Sequence, residues 1–431
     1  MMESREKAAI ARADTAQRQV LLQRFGARIV PRPELRWLAS FAGNRDEPVH
    51  RWFPYKEGFS RGLVEHLLQR FDLPAGSTLL DPFCGVGTTP LVARLRGLHG
   101  VGIDLLPLAV FVARVKLRTR YDLPMGRLRR AVEDLAQRTG RKPRSRFADI
   151  PLVHKAFDAR TARAILLLRD AIQDADHPKV RDFLTLALLA TLEELSQTRK
   201  DGLCVRLHPR RQIPAVRDAV QQRARAMLED LQVQQVTRRH LGRGRIRRAD
   251  ARALPLPDHS VDGVITSPPY LNRYDYARIY SLELALEFLD SFQELRDLRH
   301  QLLRGHIEAR PASSRRACRG AVQEVLTALE GRQLNNANIP RMIRAYFEDM
   351  HQVVGELARV CRPGSRVGLL VGNVCFGGEV IPVDLILGEM AERAGFQVES
   401  IEVTRTKGNA SQQMGRYGRI PVRESVSTWL R

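Results

Sequence analysis

The sequence predicts an α/β protein whose centre is a doubly wound, mostly parallel sheet with helical insertions, and three observations carry this. Between 78 and 104, TLLDPF reads as a buried strand, CGVGTT as a turn, PLVARLRGL as a helix and HGVGIDL as a second buried strand ending in an acid. RIRRADARALPLPDHSVDGVITSPPY, 245–270, adds two short strands, and VGLLVGNV, VDLILGEMAERAGF and VESIEVTRT resume the strand–helix alternation towards the end of the chain. Between these blocks, 108–240 keeps helical periodicity almost throughout, and 290–340 is polar, basic and interrupted by PASS and GRQLNN.

In chain order, residues 1–50 form an N-terminal helical segment: one polar helix, then an irregular connection to about 45. The sheet domain opens over 51–104, where RWFPYKEGFSRGLVEHLLQRF is an aromatic-rich loop leading into an amphipathic helix. A helical insertion follows over 105–244, and its stretch VRDFLTLALLATLEELSQ is apolar nearly all round, as a buried helix is. It ends in the basic run VTRRHLGRGRIRRAD, which suits a solvated loop and a phosphate contact equally. Residues 245–290 return to the sheet, with RIYSLELALEFL as a helix, and 291–340 are a second, basic insertion, the candidate for target recognition. Over 341–431, Ile343, Phe347, Met350, Val354 and Leu357 fall on one face of a helix closed by Pro363-Gly364, and VRESVSTWL is the last strand. There is no internal repeat.

The 431 residues carry Lys+Arg 70 against Asp+Glu 48, a net charge of +22, which points to a polyanionic partner. A genome rich in G and C would also favour arginine, so charge alone leaves that partner open. Cys84, Cys204, Cys318, Cys361 and Cys375 are scattered without C-x-x-C spacing or histidines at metal-ligand distance, so no metal site and a reduced, intracellular protein are expected. The first 25 residues lack the apolar block of a signal peptide, and no segment has the length of a membrane span.

The chemistry is read from two places. In Asp81-Pro82-Phe83-Cys84-Gly85-Val86-Gly87-Thr88-Thr89, glycines between a strand and a helix allow close approach of a ligand, and no P-loop or third Rossmann glycine accompanies them. Asp104 and Asp250 end the next two strands, where an acid can take a ribose diol or an amino group, although each alone could be a cap or turn residue. The second place is Ser267-Pro268-Pro269-Tyr270. Two prolines without amide hydrogens stop the strand, hold Ser267 and Pro268 extended and leave rigid acceptors beside an aromatic ring.

DPFCGVGTT followed by TSPPY, with WFPYKEGFS upstream, resembles the S-adenosylmethionine-dependent amino-methyltransferases of DNA. The likeness covers 51–104, 245–290 and 340–431, three parts of a catalytic domain, with the insertions outside it. It implies the sheet of that methyltransferase type and S-adenosyl-L-methionine as cofactor. Asp81, Phe83, Gly85 and Gly87 would line its methionine end, with Thr88 also binding it, Asp104 at the ribose, Asp250 at the adenine and Tyr55 nearby. Ser267, Pro268, Pro269 and Tyr270 would form the catalytic pocket. The serine form is more typical of N4-cytosine enzymes than of N6-adenine enzymes. The implied partners are double-stranded DNA with a flipped base and a cognate restriction or defence protein, with no membrane, in the cytoplasm at the nucleoid of a bacterium or archaeon. An N6-adenine DNA methyltransferase, an RNA guanine-N2 type methyltransferase and a non-catalytic DNA-binding protein on the same frame are the alternatives. A C5-cytosine mechanism needs a Pro-Cys nucleophile that the chain lacks, and Cys84 reads as a packing residue.

Overall fold

The computed structural model describes residues 16–136, 142–202, 204–209, 212–233, 237–308, 310–312, 319–409 and 411–431. The first 15 residues, and 309 and 313–318 of the second basic stretch, lie outside the described residues. The strands, in chain order, are β1 (Ile29–Pro31), β2 (Thr78–Asp81), β3 (His99–Asp104), β4 (Thr198–Asp201), β5 (Cys204–Leu207), β6 (Gly244–Arg248), β7 (Val261–Thr266), β8 (Cys361–Gly372), β9 (Val374–Phe376), β10 (Glu379–Ile381), β11 (Gln397–Gly408) and β12 (Pro421–Leu430). Among the described residues eight of them form one sheet, ordered β1-β11-β12-β8-β7-β2-β3-β6, while β4–β5 and β9–β10 are separate hairpins.

In the large sheet β12 runs against its neighbours β8 and β11, and every other pairing is parallel. The expected doubly wound α/β sheet is therefore present. Side-chain alternation decides which layer covers each face. Leu79, Ile265 and Leu370 join the helices Arg61–Phe71 and Thr88–Leu95 in one buried cluster. Their neighbours Leu80, Val264, Leu369 and Val371 join Ile339–Val360 and Val383–Arg393 in another. Because β2, β3, β6, β7 and β8 are parallel, their carboxyl ends meet at one rim, and Asp81, Asp104, Asp250, Ser267 and Asn373 arrive there from separate strands.

Several expectations are corrected. The N-terminal connection is not wholly irregular, since β1 pairs in parallel with β11 from Ile29↔Ile401 to Pro31↔Val403; its proline is tolerated because the strand lies at the sheet edge. Helix Pro107–Lys116, assigned to the insertion, lays Val110 and Ala113 against Cys84 and Ile246, so the layer covering the sheet continues past 105. The insertion is also not all helix: β4 and β5 form a hairpin whose turn begins at Gly202, φ 53°, after Asp201, an Asp-Gly turn signal. Helix Ile339–Val360 does bury Ile343, Phe347, Met350, Val354 and Leu357, but it ends before Pro363-Gly364. Those two lie in a bulge of β8, where the pairing with β7 jumps from Val261↔Cys361 to Gly263↔Arg366.

The basic run 238–248 is a solvated loop only in its first part, and the strand expected from 245 is present. From Gly244 onwards it is the edge strand β6, in register Gly244↔Gly100 to Arg248↔Asp104. Arg238, Arg239, Arg243 and Arg245 are exposed towards the amino-terminal end of the strands, and only Arg247 and Arg248 approach the rim. Parallel pairing with β3 fixes this, since Asp104 marks the carboxyl end.

The insertion is tied to the sheet domain through Asp230 in helix Val216–Val233. Its buried carboxylate accepts hydrogen bonds from Val49 N at 2.9 Å, Trp52 Nε1 at 3.0 Å and Arg51 Nη2 at 2.6 Å. Asp230→Ala leaves the first two donors buried without a partner, so it is expected to cost about 3 kcal/mol, measured as a lower denaturant midpoint, and Asp230→Asn less.

Candidate active site

The turn after β2 is shaped by close approach. Cys84 N donates to Ile103 O at 2.9 Å and Gly87 N to Cys84 O at 2.8 Å, drawing the turn over the end of β3. At Gly85, φ 48°, an added Cβ would lie 2.8 Å from Tyr55 Cε1, so only glycine lets the turn rest against that ring. Gly87, φ 83°, opens helix Thr88–Leu95, and a Cβ there would lie 2.9 Å from the Cβ of Ala113. It therefore packs away from the ligand space.

Tyr55 belongs to an aromatic wall. Its ring stacks on Tyr280 at 5.1 Å and 3° and on Tyr276 at 5.7 Å and 19°. Tyr274 meets Tyr276 edge-on at 4.8 Å. Lys200 of β4 sits 4.5 Å over the Tyr280 ring and pairs with the buried Glu283, so the insertion's hairpin braces the wall from behind.

The three acids have different surroundings. Asp104 accepts from Gly85 N at 2.9 Å and Leu106 N at 2.8 Å, and burial pushes its carboxyl up to about 6 despite these amides. Asp81 is buried; it accepts from Thr266 Oγ1 at 2.6 Å and Phe83 N at 3.1 Å, and burial pushes it up to about 7. Asp250 grips Arg252 at 2.7 Å, and the same guanidinium donates to Asp349 at 3.1 Å and to Gln301 O at 2.7 Å.

A cleft of about 990 Å³ opens at the rim. Of the residues singled out in the sequence, Tyr55, Phe83, Gly85, Thr88, Asp104, Asp250, Ser267 and Pro269 line it. Asp81, Gly87, Pro268 and Tyr270 do not. Tyr270 faces a second cavity of about 860 Å³, and Glu57 lines both. One side of the Tyr270 ring lies on Gly372, where a Cβ would come within 3.1 Å of Cδ2. Ser267 Oγ is buried at the cleft in only a loose contact with the Tyr270 phenol, and burial holds that phenol well up although the Ser267 hydroxyl acts the other way.

Sequence reading missed Glu57, Tyr274, Tyr276, Arg252 and His306. The tyrosines had a signal in RYDYARIY, whose three aromatic rings recur within seven residues. His306 had none. It is buried, with Nε2 3.1 Å from Arg299 O and Nδ1 unpartnered, and burial lowers its pKa. Cys84 packs against Val110 and Ala113, and burial raises its thiol well above the ordinary value, so it is not a nucleophile.

Such a cleft fits a nucleoside-bearing ligand. It has aromatic cover, a carboxylate fixed by two amides with lone pairs to spare for a diol, and no phosphate cradle. Among the described residues no group of three His, Cys, Asp or Glu side chains could hold a metal ion, and no helix is long and apolar enough to cross a membrane.

No protein-family model matches the chain. The type II methyltransferase M.BsoBI of Geobacillus stearothermophilus is 31% identical over 450 residues, covering 91% of this chain and 88% of that protein. The type II methyltransferase M.AvaI of Nostoc sp. is 33% identical over 429 residues, covering 91% and 89%. Among solved structures, TrmN from Thermus thermophilus aligns with 86% of this chain and 48% of that one at 12% identity, with a TM-score of only 0.30. Aligned over nine-tenths of its length at more than 30% identity, the chain belongs to the type II methyltransferase family, with S-adenosylmethionine as its methyl donor.

Proposed function

We propose that this chain methylates the exocyclic amine of a base in duplex DNA at a specific site, with cytosine N4 as the target atom. The observation that carries the reading is Ser267 Oγ, a buried hydroxyl at the cleft whose one interaction, a loose contact with the Tyr270 phenol, leaves hydrogen-bonding capacity open. An incoming amine would satisfy it. The net charge of +22 supports a polyanionic substrate.

The donor supplies an electrophilic methyl on a sulfonium, so the protein's task is to make the amine nucleophilic and to aim it. A ring-conjugated amine has a delocalised lone pair. Hydrogen bonds from the amine to Ser267 Oγ and the Pro268 carbonyl would hold it near tetrahedral geometry and point that lone pair into the cleft. The paired prolines keep both acceptors still. A base inside a duplex cannot reach them, so it must be extruded, and the side of Tyr270 not covered by Gly372 offers it a stacking surface. On the donor side Asp104 would take the ribose diol and Asp250 the adenine amine, with Phe83, Gly85 and Thr88 around the methionine end; Asp81 and Gly87 position the turn from behind. We assign target reading to the 291–340 insertion, the place of action to the nucleoid of a bacterial or archaeal host and the functional partner to a cognate restriction nuclease.

Two measurements test this. Plasmid DNA incubated with the chain and S-adenosylmethionine, then digested and analysed by mass spectrometry, should contain N4-methylcytosine. N6-methyladenine would overturn the target atom, and methylation of RNA alone would overturn the substrate. Ser267→Ala should lower kcat by about tenfold or more with little change in cofactor affinity, because that hydroxyl meets the amine.

Asp104 gives a pH dependence. A ribose diol needs the carboxylate form, and a proton competes for it at about pH 6. Calorimetric affinity for S-adenosylmethionine should fall as pH drops through 6. Asp104→Asn should remove that component and weaken binding by about 1.5 to 3 kcal/mol.

A further inference from the structure

Arg273 lies three residues after Tyr270 and lines the second cavity together with Asn272 and Asn373. Its backbone is left-handed, φ 71°, at a residue other than glycine. Such a conformation persists only where the surroundings hold it. Here its N–H donates to Gly305 O at 3.0 Å, and Gly305 in turn lies so close under the Tyr270 carbonyl that a Cβ would come within 2.8 Å of that oxygen. The side chain is thus aimed by the same contact that seats the tetrapeptide.

Its guanidinium makes no hydrogen bond or ion pair among the described residues. The other arginines of this cavity and of the segment beneath it are matched: Arg423 to Asp384 at 2.6 Å, Arg304 to Asp349 at 2.6 Å, Arg299 to Asp275 at 2.5 Å and Arg405 to Glu424. Of the two acids that line the cavity, Glu424 is further held by Lys407 at 3.1 Å, and Glu57 forms no ion pair with Arg273. Arg273 is partly buried, and burial lowers its pKa with no carboxylate acting the other way. A desolvated guanidinium without counter-charge is an incomplete anion site, and its planar fork of donors matches a phosphate.

We infer that Arg273 clamps the backbone phosphate of the extruded target nucleotide at the mouth of the Tyr270 cavity. The inference rests on the base-transfer reading above and adds the residue that holds the nucleotide in place. The anion is nucleic-acid phosphate, and not the carboxylate of the methyl donor, because Arg273 lines the second cavity and is absent from the lining of the donor cleft.

The test uses the full chain and a synthetic duplex carrying the site mapped by sequencing modified bases in wild-type-treated DNA. Arg273→Gly removes the guanidinium while suiting the left-handed backbone, so it should fold at least as well as wild type. It should raise KM for the duplex about tenfold, reduce the slope of log affinity against log salt by about 0.9 and leave the calorimetric Kd for S-adenosylmethionine within twofold. Arg273→Lys should recover most of the salt slope but less of the KM, since an ammonium lacks the fork. A wild-type KM and slope in Arg273→Gly would overturn the clamp, as would a loss confined to kcat or to cofactor binding. If the wild-type chain methylates no DNA, the functional reading itself fails, an outcome distinct from a wild-type enzyme indifferent to Arg273→Gly.

Discussion

The hydrogen bond from Thr266 Oγ1 to Asp81, 2.6 Å long and buried, is the link on which the site depends. It joins the carboxyl ends of β2 and β7, neighbours paired through Leu79↔Gly263 and Leu80↔Val264. The same carboxylate oxygen accepts from Phe83 N, and Thr89 at the head of the following helix donates to Ile265 O at 3.1 Å. One acid thus locks the glycine turn, which shapes the cleft, to the residue before Ser267, which lines the same cleft. Asp81 lies behind the cleft because it holds the two halves of the chemistry in a fixed relation.

The central strands were legible because they are covered on both faces and read as continuous apolar runs, as in LLD and VGLLVG. The edge strand β1 was not, because IVPRP has the composition of a turn and takes its conformation from β11. The direction of the basic run was hidden for a related reason: residues 238–245 lie away from the rim only because β6 pairs in parallel with β3, and nothing local states that register. In the site, the turn, the acids and the tetrapeptide could be found by spacing. Their division between two cavities could not. In an extended backbone alternate side chains point to opposite sides, and so Ser267 and Pro269 reach the cleft while Pro268 is buried and Tyr270 turns to its neighbour.

The helical insertion, outside the resemblance that identified the site, is structurally part of it. Asp230 fixes the loop that carries Val49 and Trp52, and a few residues later that loop presents Tyr55 and Glu57. From the other side, Lys200 braces Tyr280, on which Tyr55 stacks. Trp52 itself packs edge-on against Phe183 of the buried insertion helix at 5.5 Å. Removing the insertion would therefore unsupport the aromatic wall even though the sheet and both sequence signatures remained.

The two rim acids carry a cost in the free protein. Asp81 and Asp104 are pushed up to about 7 and about 6 from 3.8 by burial, and the charge of Asp104 adds to the rise at Asp81. A folded-state pKa above the unfolded value means that stability is fullest below about pH 4 for these groups and is lost as pH rises through 6 and 7. At neutral pH the loss is on the order of 3 kcal/mol for each, taking 1.36 kcal/mol per unit. Asp81 offsets part of its cost through the hydrogen bonds from Thr266 and Phe83 that fix the turn, whereas Asp104 keeps lone pairs open towards the cleft. A ligand that hydrogen-bonds the charged form of Asp104, the one of the two that lines the cleft, recovers part of that loss on binding.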